Sequence, residues 1–314
     1  MNNRNIDIDL VYMWVDGSDP VWLAKKQLYT QQPDKSSETD AAGRYASNDE
    51  LKYSLRSVEM YAPWIRNIFI ITDDQKPEWL NTQNPKIKVI DHRDILPVEA
   101  LPTFNSNVIE YFLYKIPGLS EHFLLANDDM FFNAHFSSDY FFTRDGYPIV
   151  CLKRKIFGKW HHKVKARVQT IGEYRQTVID AMNLIEQKFG KVYSGLPHHN
   201  IDSFRKSDYH KAVEEVFNDQ VKKSQFNRIR TASDLQRSAF SYYALAIGHA
   251  YLKYVGRKEA SRILIYKHNF TEYINRYHPL LFCLNDDQHS TDEHRKQVRP
   301  FLETLFPEKS PFEK

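Results

Sequence analysis

Cysteine is nearly absent from this chain: Cys151 and Cys283 are the only two in 314 residues. Each sits among apolar neighbours, which reads as two buried free thiols. Two cysteines allow one long-range bridge at most and exclude a disulfide framework. Long apolar runs are missing as well. None approaches the ~20 residues that a membrane-spanning helix needs, so no transmembrane segment is expected. The opening Met1–Asn2–Asn3–Arg4–Asn5, with Asp7 and Asp9 close behind, is too polar to read as a signal peptide. Together these absences predict a protein of the reducing cytoplasm. A dominant charge is lacking too: 43 Lys and Arg face 40 Asp and Glu, for a net +3. Charge so small and so dispersed predicts no nucleic-acid partner. It leaves room for local attraction to an anionic substrate or a membrane surface. There is no internal repeat and no low-complexity tail.

What is present suits a globular enzyme. Hydrophobic residues make up 42% and charged residues 26%, and a chain of this length buries a large core. Its 19 Tyr and 20 Phe supply flat walls for bases and sugars, or simply core packing. Residues 8–15 read as a first strand, stopped by Asp16–Gly17–Ser18–Asp19–Pro20. Residues 31–43 read as a long polar loop over a site. A capping box of Ser47 and Glu50 predicts a helix that ends at Ala62–Pro63. Strands follow at 67–72 and 88–90, then a helix over 106–115 and a short buried strand over 123–126. Alternating strands and helices predict an α/β fold with a mostly parallel sheet. The second half reads as mainly helical. Thr170 and Glu173 cap one helix, which Gly190 stops. Residues 207–222 form another and residues 234–254 a buried one. Ser290 and Glu293 cap the last, with a kink at Pro300. Residues 143–165 form a plausible junction. This divides the chain into an α/β part, 1–142, and a helical part, 143–314, that completes one catalytic domain.

Polar clusters interrupt this apolar pattern. Asn127–Asp128–Asp129 follows directly on the apolar Phe123–Leu124–Leu125–Ala126, so carboxylates fall at a sheet edge, where open α/β sheets bind ligands. Hard oxygens there suit Mg²⁺ or Mn²⁺ and a phosphate-bearing substrate; a plain turn with Asn127 as a helix cap is the competing reading. Asp16, Gly17, Ser18 and Asp19 end the first strand, and Gly17 lets backbone N–H groups approach a diphosphate. His198 and His199 with Asp202 carry the parts of a general base, against a simple surface loop. Zinc is disfavoured, because no cysteine accompanies them. Arg228 and Arg230 precede a helix start and match phosphate in shape. Asn285–Asp286–Asp287 repeats the earlier acidic triplet and either completes a metal shell or caps a turn.

At these same residues the chain resembles the Stealth family of sugar-1-phosphate transferases, which act in bacterial capsular and exopolysaccharide synthesis and include the catalytic part of animal GlcNAc-1-phosphotransferase. Four ordered blocks carry the resemblance. The first spans residues 9–19. The second runs from Arg44–Tyr45 through residues 48–57, 62–68 and 101–106 to Asn127–Asp128–Asp129. The third joins the His198–His199 loop to residues 226–230. The fourth runs from residue 284 to 287 and from 305 to 314. The resemblance implies a glycosyltransferase-A-like sheet, a UDP-sugar donor such as UDP-GlcNAc, a glycan acceptor and a divalent cation, Mg²⁺ or Mn²⁺. It places Asp16, Gly17, Ser18 and Asp19 around the nucleotide and diphosphate, with Asn48, Glu50, Arg56, Asn105 and Arg228. Asp128 or Asp129 with Asp286 or Asp287 would hold the metal. His199 would be the base, with Asp202 orienting it, and Arg230 a phosphate clamp. Asn200–Ile201 stand where the family pattern has proline, which leaves His198 open as the base. The implied setting is the bacterial cytoplasm, at most the inner face of the membrane. A metal-dependent glycosyltransferase releasing UDP and a non-catalytic glycan-binding module are the alternative functions.

Overall fold

A computed structural model describes residues 6–29, 47–155 and 172–314. The polar loop over 31–43, Arg44–Tyr45 and the Thr170 cap lie outside the described residues. Eleven strands are described: β1 (Ile8–Met13), β2 (Ile68–Thr72), β3 (Ile87–Asp91), β4 (His122–Asn127), β5 (Met130–Phe132), β6 (Ile149–Lys153), β7 (Leu196–Pro197), β8 (Asp202–Arg205), β9 (Tyr251–Tyr254), β10 (Ala260–Leu264) and β11 (Leu281–Asn285). The central sheet has the order β3-β2-β1-β4-β8. Its first four strands are parallel and β8 runs antiparallel to β4. The expected α/β fold with a mostly parallel sheet is therefore present.

The sequence explains why these strands sit centrally. β1, β2 and β4 are nearly unbroken apolar runs, as strands covered on both faces must be. Alternate residues face opposite layers. Val11, Phe69, Ile71 and Leu125 enter one core, whereas Leu10, Tyr12, Ile70 and Leu124 enter the other. The register pairs Met13 with Asn127, so the segments after β1 and β4 emerge side by side at one sheet edge.

Two smaller sheets flank this one, ordered β10-β11-β5 and β7-β6-β9. The halves are tied together across residue 142 by β5 pairing with β11 in the first of these and by β4 pairing with β8 in the central sheet. Helix α1 (Pro20–Tyr29) follows β1, and α2 (Glu50–Tyr61) lies against β5. Ser54 on α2 bonds the Tyr12 hydroxyl at 2.7 Å and donates to the Met130 carbonyl at 2.6 Å.

Several expectations are corrected. The second half carries the additional helices expected of it and also contributes six strands, β6 to β11, that were not expected. The buried helix expected over 234–254 covers only Ser238–Ala246. Gly248 takes φ +78, which ends it, and Tyr251–Tyr254 becomes a strand parallel to β6. The helix over 207–222 is interrupted by a π-helical turn at Ala212–Val216. The Ser47–Glu50 capping box does not form. Asp49 is the N-cap, with φ 64, and Glu50 turns back to accept from Asn48. At the end of the chain, Thr291 and His294 make the box expected of Ser290 and Glu293. Pro300 falls in the first turn of Val298–Leu305, where a missing N–H costs nothing and no kink is needed.

The last residues are stitched back into the first half. Lys314 donates to the Trp79 carbonyl at 2.9 Å, and Asn81 to that of Phe312 at 2.8 Å. Glu313 receives both arms of the Arg56 guanidinium, at 2.9 and 2.8 Å.

Candidate active site

The edge where β1 and β4 end gathers the acidic residues. Asp128 and Asp129 follow β4, and Glu50, the first residue of α2, stands beside them. Burial drives the carboxyl of Asp128 well above its usual range, and the nearby charges of Glu50 and Asp129 push it further. Burial likewise lifts Asp129 to about 6, partly offset by a hydrogen bond from the Cys283 thiol at 3.1 Å and by the charge of Arg262. Glu50 is raised by burial as well, against its bonds from Asn48. The second carboxylate oxygen of Asp129, Oδ1, is buried without a hydrogen-bond partner. Crowded carboxylates with an orphaned oxygen are the environment that a hard cation relieves.

The second Asn-Asp-Asp does not join them as expected. β11 does bring Asn285 close, since the Leu284 N–H donates to the Asp129 carbonyl at 3.0 Å. Asn285, however, accepts from Arg262 Nε at 2.7 Å. Asp286 is held by both arms of Arg295, at 2.6 and 3.2 Å. Asp287 caps a turn by accepting from the His289 N–H at 2.9 Å. Asp286 thus has its charge matched by Arg295 and Asp287 is taken up in a turn, so the structure does not bring this pair to Asp128 and Asp129 as expected. Among the described residues no three His, Cys, Asp or Glu side chains converge to hold a metal. Asp128 and Asp129 present the carboxylate oxygens here that suit a hard cation, and Mg²⁺ commonly takes its other ligands from substrate and water.

The histidine loop precedes β8. His198, 1% exposed, approaches Asp202 Oδ1 through its Nε2 at 3.2 Å. Asp202 therefore orients His198 and not His199, which corrects that part of the expectation. Arg237 Nε meets the other oxygen of Asp202 at 3.3 Å, and Arg237 Nη1 meets Glu110 at 3.3 Å. Burial raises the Asp202 carboxyl, but its bond to His198 and the Arg237 charge outweigh this and leave it below the usual range. His199 adopts φ 58, a left-handed conformation unusual for a side-chain-bearing residue and costly unless the surroundings enforce it. Its ring meets Tyr174 edge-on at 6.1 Å and lines a narrow cleft with Asp202 and Arg237. Burial holds its imidazole well below the ordinary histidine range, helped by Arg262, Arg237 and Lys153. It is neutral at physiological pH, with a lone pair able to accept a proton. The charges of Arg262 and Arg237 act on both Asp129 and His199, so the acidic edge and the histidine loop share one electrostatic field.

The remaining residues divide between this edge and the scaffold. Asp16, Gly17, Ser18 and Asp19 form the turn after β1. Asp16 Oδ1 accepts from the Ser18 N–H at 2.8 Å, and Gln75 donates to Asp19 at 3.0 Å. Asn48 is the partner of Glu50 at the acidic edge. Arg56, in contrast, is spent on Glu313 and on the Phe306 carbonyl at 2.8 Å, so it is not a donor ligand. Asn105 is wholly buried and donates to Asp234 at 2.7 Å and to the carbonyls of Asn227 and Ile229, each at 3.2 Å. Arg228 donates to the Pro102 carbonyl at 2.8 Å. Both are corrected from ligand contacts to the frame that shapes the arginine loop. Arg230, held to the Ser106 hydroxyl, lies near enough to Glu110 to lower its pKa against the rise caused by burial. Sequence reasoning missed Glu110, Arg237, Arg262 and Cys283. A charged Arg237 inside an otherwise apolar helical stretch was the available signal; nothing marked the other three.

Comparison with known proteins places these features in a family. The chain matches the conserved regions CR1, CR2 and CR4 of Stealth proteins over residues 7–33, 44–150 and 274–314. It is 34% identical over its whole length to an exopolysaccharide phosphotransferase of Streptomyces coelicolor, of which it covers 52%. It is also 34% identical over 99% of its length to the capsular polysaccharide phosphotransferase SacB of Neisseria meningitidis serogroup A, covering 58% of that protein. The chain thus spans little more than half of these two relatives. It spans 96% of the exopolysaccharide phosphotransferase cps2G of Lactiplantibacillus plantarum, at 32% identity and with 98% of this chain aligned. Among solved structures it aligns with the galactosyltransferase LgtC at 11% identity and a TM-score of 0.44, over 93% of this chain and 95% of that one, a likeness too slight to bear on function. Three matched regions in order, and a relative aligned nearly end to end, establish that the chain belongs to the Stealth family.

Proposed function

We propose that the chain moves a sugar-1-phosphate, such as GlcNAc-1-phosphate, from a UDP-sugar to a hydroxyl of a glycan acceptor in capsular or exopolysaccharide synthesis. The observation that carries this reading is the shared field of Arg237 and Arg262 over a neutral histidine and a crowded carboxylate pair. Those are the parts that phosphoryl transfer needs: a base, anion-stabilising cations and a seat for a metal. The relatives named as capsular and exopolysaccharide phosphotransferases support the same chemistry.

His199 is the base, because its ring lines a cleft while the His198 ring is buried against Asp202. His198 is a positioning residue. His199 takes the proton as the acceptor oxygen forms a bond to the β-phosphorus of the donor. The bond from that phosphorus to the bridging oxygen breaks, and UMP leaves with the electron pair. Arg230 and Arg237 offset charge on the phosphoryl oxygens. Asp128 and Asp129 would hold a divalent cation, Mg²⁺ or Mn²⁺, which when bound neutralises diphosphate charge. The turn from Asp16 to Asp19 flanks the nucleotide. No described helix is long and apolar enough to cross a membrane, and we place the reaction in the bacterial cytoplasm, where UDP-sugars are made.

The nucleotide product tests this reading. Purified protein, UDP-GlcNAc, Mg²⁺ and glycan acceptor should yield UMP, and EDTA should abolish its release. UDP as the product would make the protein an ordinary glycosyltransferase, and no nucleotide at all would leave a binding module.

A further inference from the structure

A second concavity opens beside the site and carries the opposite charge. It measures about 510 Å³, within the range of ligand pockets. One wall is β10, and the other is the helix Phe270–Tyr277. Lys153, Arg257, Arg262, Lys267 and Arg276 line it, and Glu272 is the one carboxylate among the described lining residues. None of the five cations makes an ion pair with a carboxylate among the described residues. Arg257 instead donates to the Tyr277 hydroxyl at 2.7 Å, and Arg257 and Arg276 both approach the Tyr277 ring, at 5.1 and 5.4 Å. Part-buried Arg262 thereby differs from Arg56, Arg237 and Arg295, which meet Glu313, Asp202 with Glu110, and Asp286. Burial holds the Lys153 ammonium below the usual lysine range, and the charges of Arg262, Lys155 and Arg257 add to it. Concentrated like charge in a hollow is costly until an anion enters.

Hydrogen bonds tie the wall of the basin to the candidate site. Arg262 reaches from its wall to Asn285, beside the Asp129 strand end. The Ser261 carbonyl accepts from Asn200, the residue after His199, at 3.4 Å. A ligand in the basin would therefore lie against the strand that holds the His199 loop.

We infer that this basin binds the acceptor through a phosphate group that the acceptor already carries. The proposal rests on the phosphotransferase reading and names its acceptor class: a glycan bearing a phosphodiester, such as the growing product itself. An anionic glycan fits where a neutral one does not. Guanidinium forks grip phosphate oxygens, and Tyr273 and Tyr277 offer faces to a sugar ring.

The test is equilibrium binding by titration calorimetry or ligand-observed NMR, with two probes differing in one group. The first is the methyl phosphodiester of N-acetylglucosamine 1-phosphate, and the second is neutral methyl N-acetylglucosaminide. The phosphodiester should bind at least tenfold more tightly, and raising NaCl from 50 to 500 mM should remove the difference. The charge-reversing pair Lys267→Glu and Arg276→Glu lies on exposed side chains. It should weaken the phosphodiester at least tenfold while UDP binds as before. Equal affinity for the two probes overturns the inference. So does displacement of the phosphodiester by UDP, because the basin would then be part of the donor site. Release of UDP in place of UMP would defeat the phosphotransferase reading and leave these binding results standing, so the two failures are distinguishable.

Discussion

Two segments of this chain spell Asn-Asp-Asp, each at the end of a strand, and the fold treats them oppositely. After β4, the half-buried Asp128 and Asp129 stand beside the buried Glu50, and Asp129 Oδ1 has no partner. After β11, Asp286 is clamped by Arg295 and Asp287 closes a turn. Both triplets present the same donors, so composition cannot separate them. What separates them is whether an arginine arrives nine residues later to take the charge. An acidic triplet with no arginine bonded to it keeps carboxylate oxygens that suit a hard cation; one clamped by an arginine is a piece of scaffold.

Mutating each triplet to amides should widen this contrast. Asp128→Asn or Asp129→Asn should lower turnover by ~100-fold or more, the size of losing one charge-stabilising group, with no loss of melting temperature. Asp286→Asn should leave turnover within ~3-fold of wild type. Steady-state rates and thermal melts on the three variants check this, and a large activity loss in Asp286→Asn would make the two triplets alike. The base offers the next test. His199→Ala should slow transfer by ~100-fold while UDP-sugar binding, followed by calorimetry, stays near wild type. His198→Ala, acting through loop position, should be restored in part by His198→Gln, whereas His199→Gln should restore nothing.

Removing the counter-ion attacks the comparison from the other side. Arg295→Ala strands a part-buried carboxylate and should cost about 1–3 kcal/mol of stability, read from chemical denaturation, with little change in KM for UDP-sugar. The smallest effect concerns pH. Asp129 titrates near 6 in the folded protein against an ordinary 3.8. The stability that goes with its retained proton is complete below pH 3.8 and is lost as pH rises through 6. The melting temperature of Asp129→Asn relative to wild type should therefore climb between pH 4 and 6 and level off above, by about 2–4 °C. A difference that stays flat over that window would mean the carboxyl is not crowded.

Much of the central sheet was legible because its strands are buried on both faces, which leaves continuous runs such as Phe123–Leu124–Leu125–Ala126. β9 was not. Tyr251, Leu252 and Tyr254 are exposed, so no apolar face marked the strand, and the helix before it was extended past Gly248. The acidic edge was legible because acids that follow an apolar strand must emerge at its end. Arg237 and Glu110 were not, since their ion pair joins positions 127 apart, and no local pattern encodes that. Asn105, Arg228 and Arg56 show a different limit. Each is polar and stands in a recognisable motif, yet each bonds its own chain. A side chain that grips backbone and one that grips ligand are spelled alike.

The Arg56–Glu313 pair bridges 257 positions, and this gives the molecule a timetable. At ~5–20 residues per second, roughly 13–50 s separate the synthesis of the two partners. Through that interval the α2 guanidinium has no carboxylate to meet, and the Trp79 and Asn81 backbone groups await Lys314 and Phe312. The nascent chain can collapse around β1, β2 and β4 early, but it cannot close. The segment from Phe312 to Lys314 is the latch, and a chain broken off shortly before it would be left unfastened.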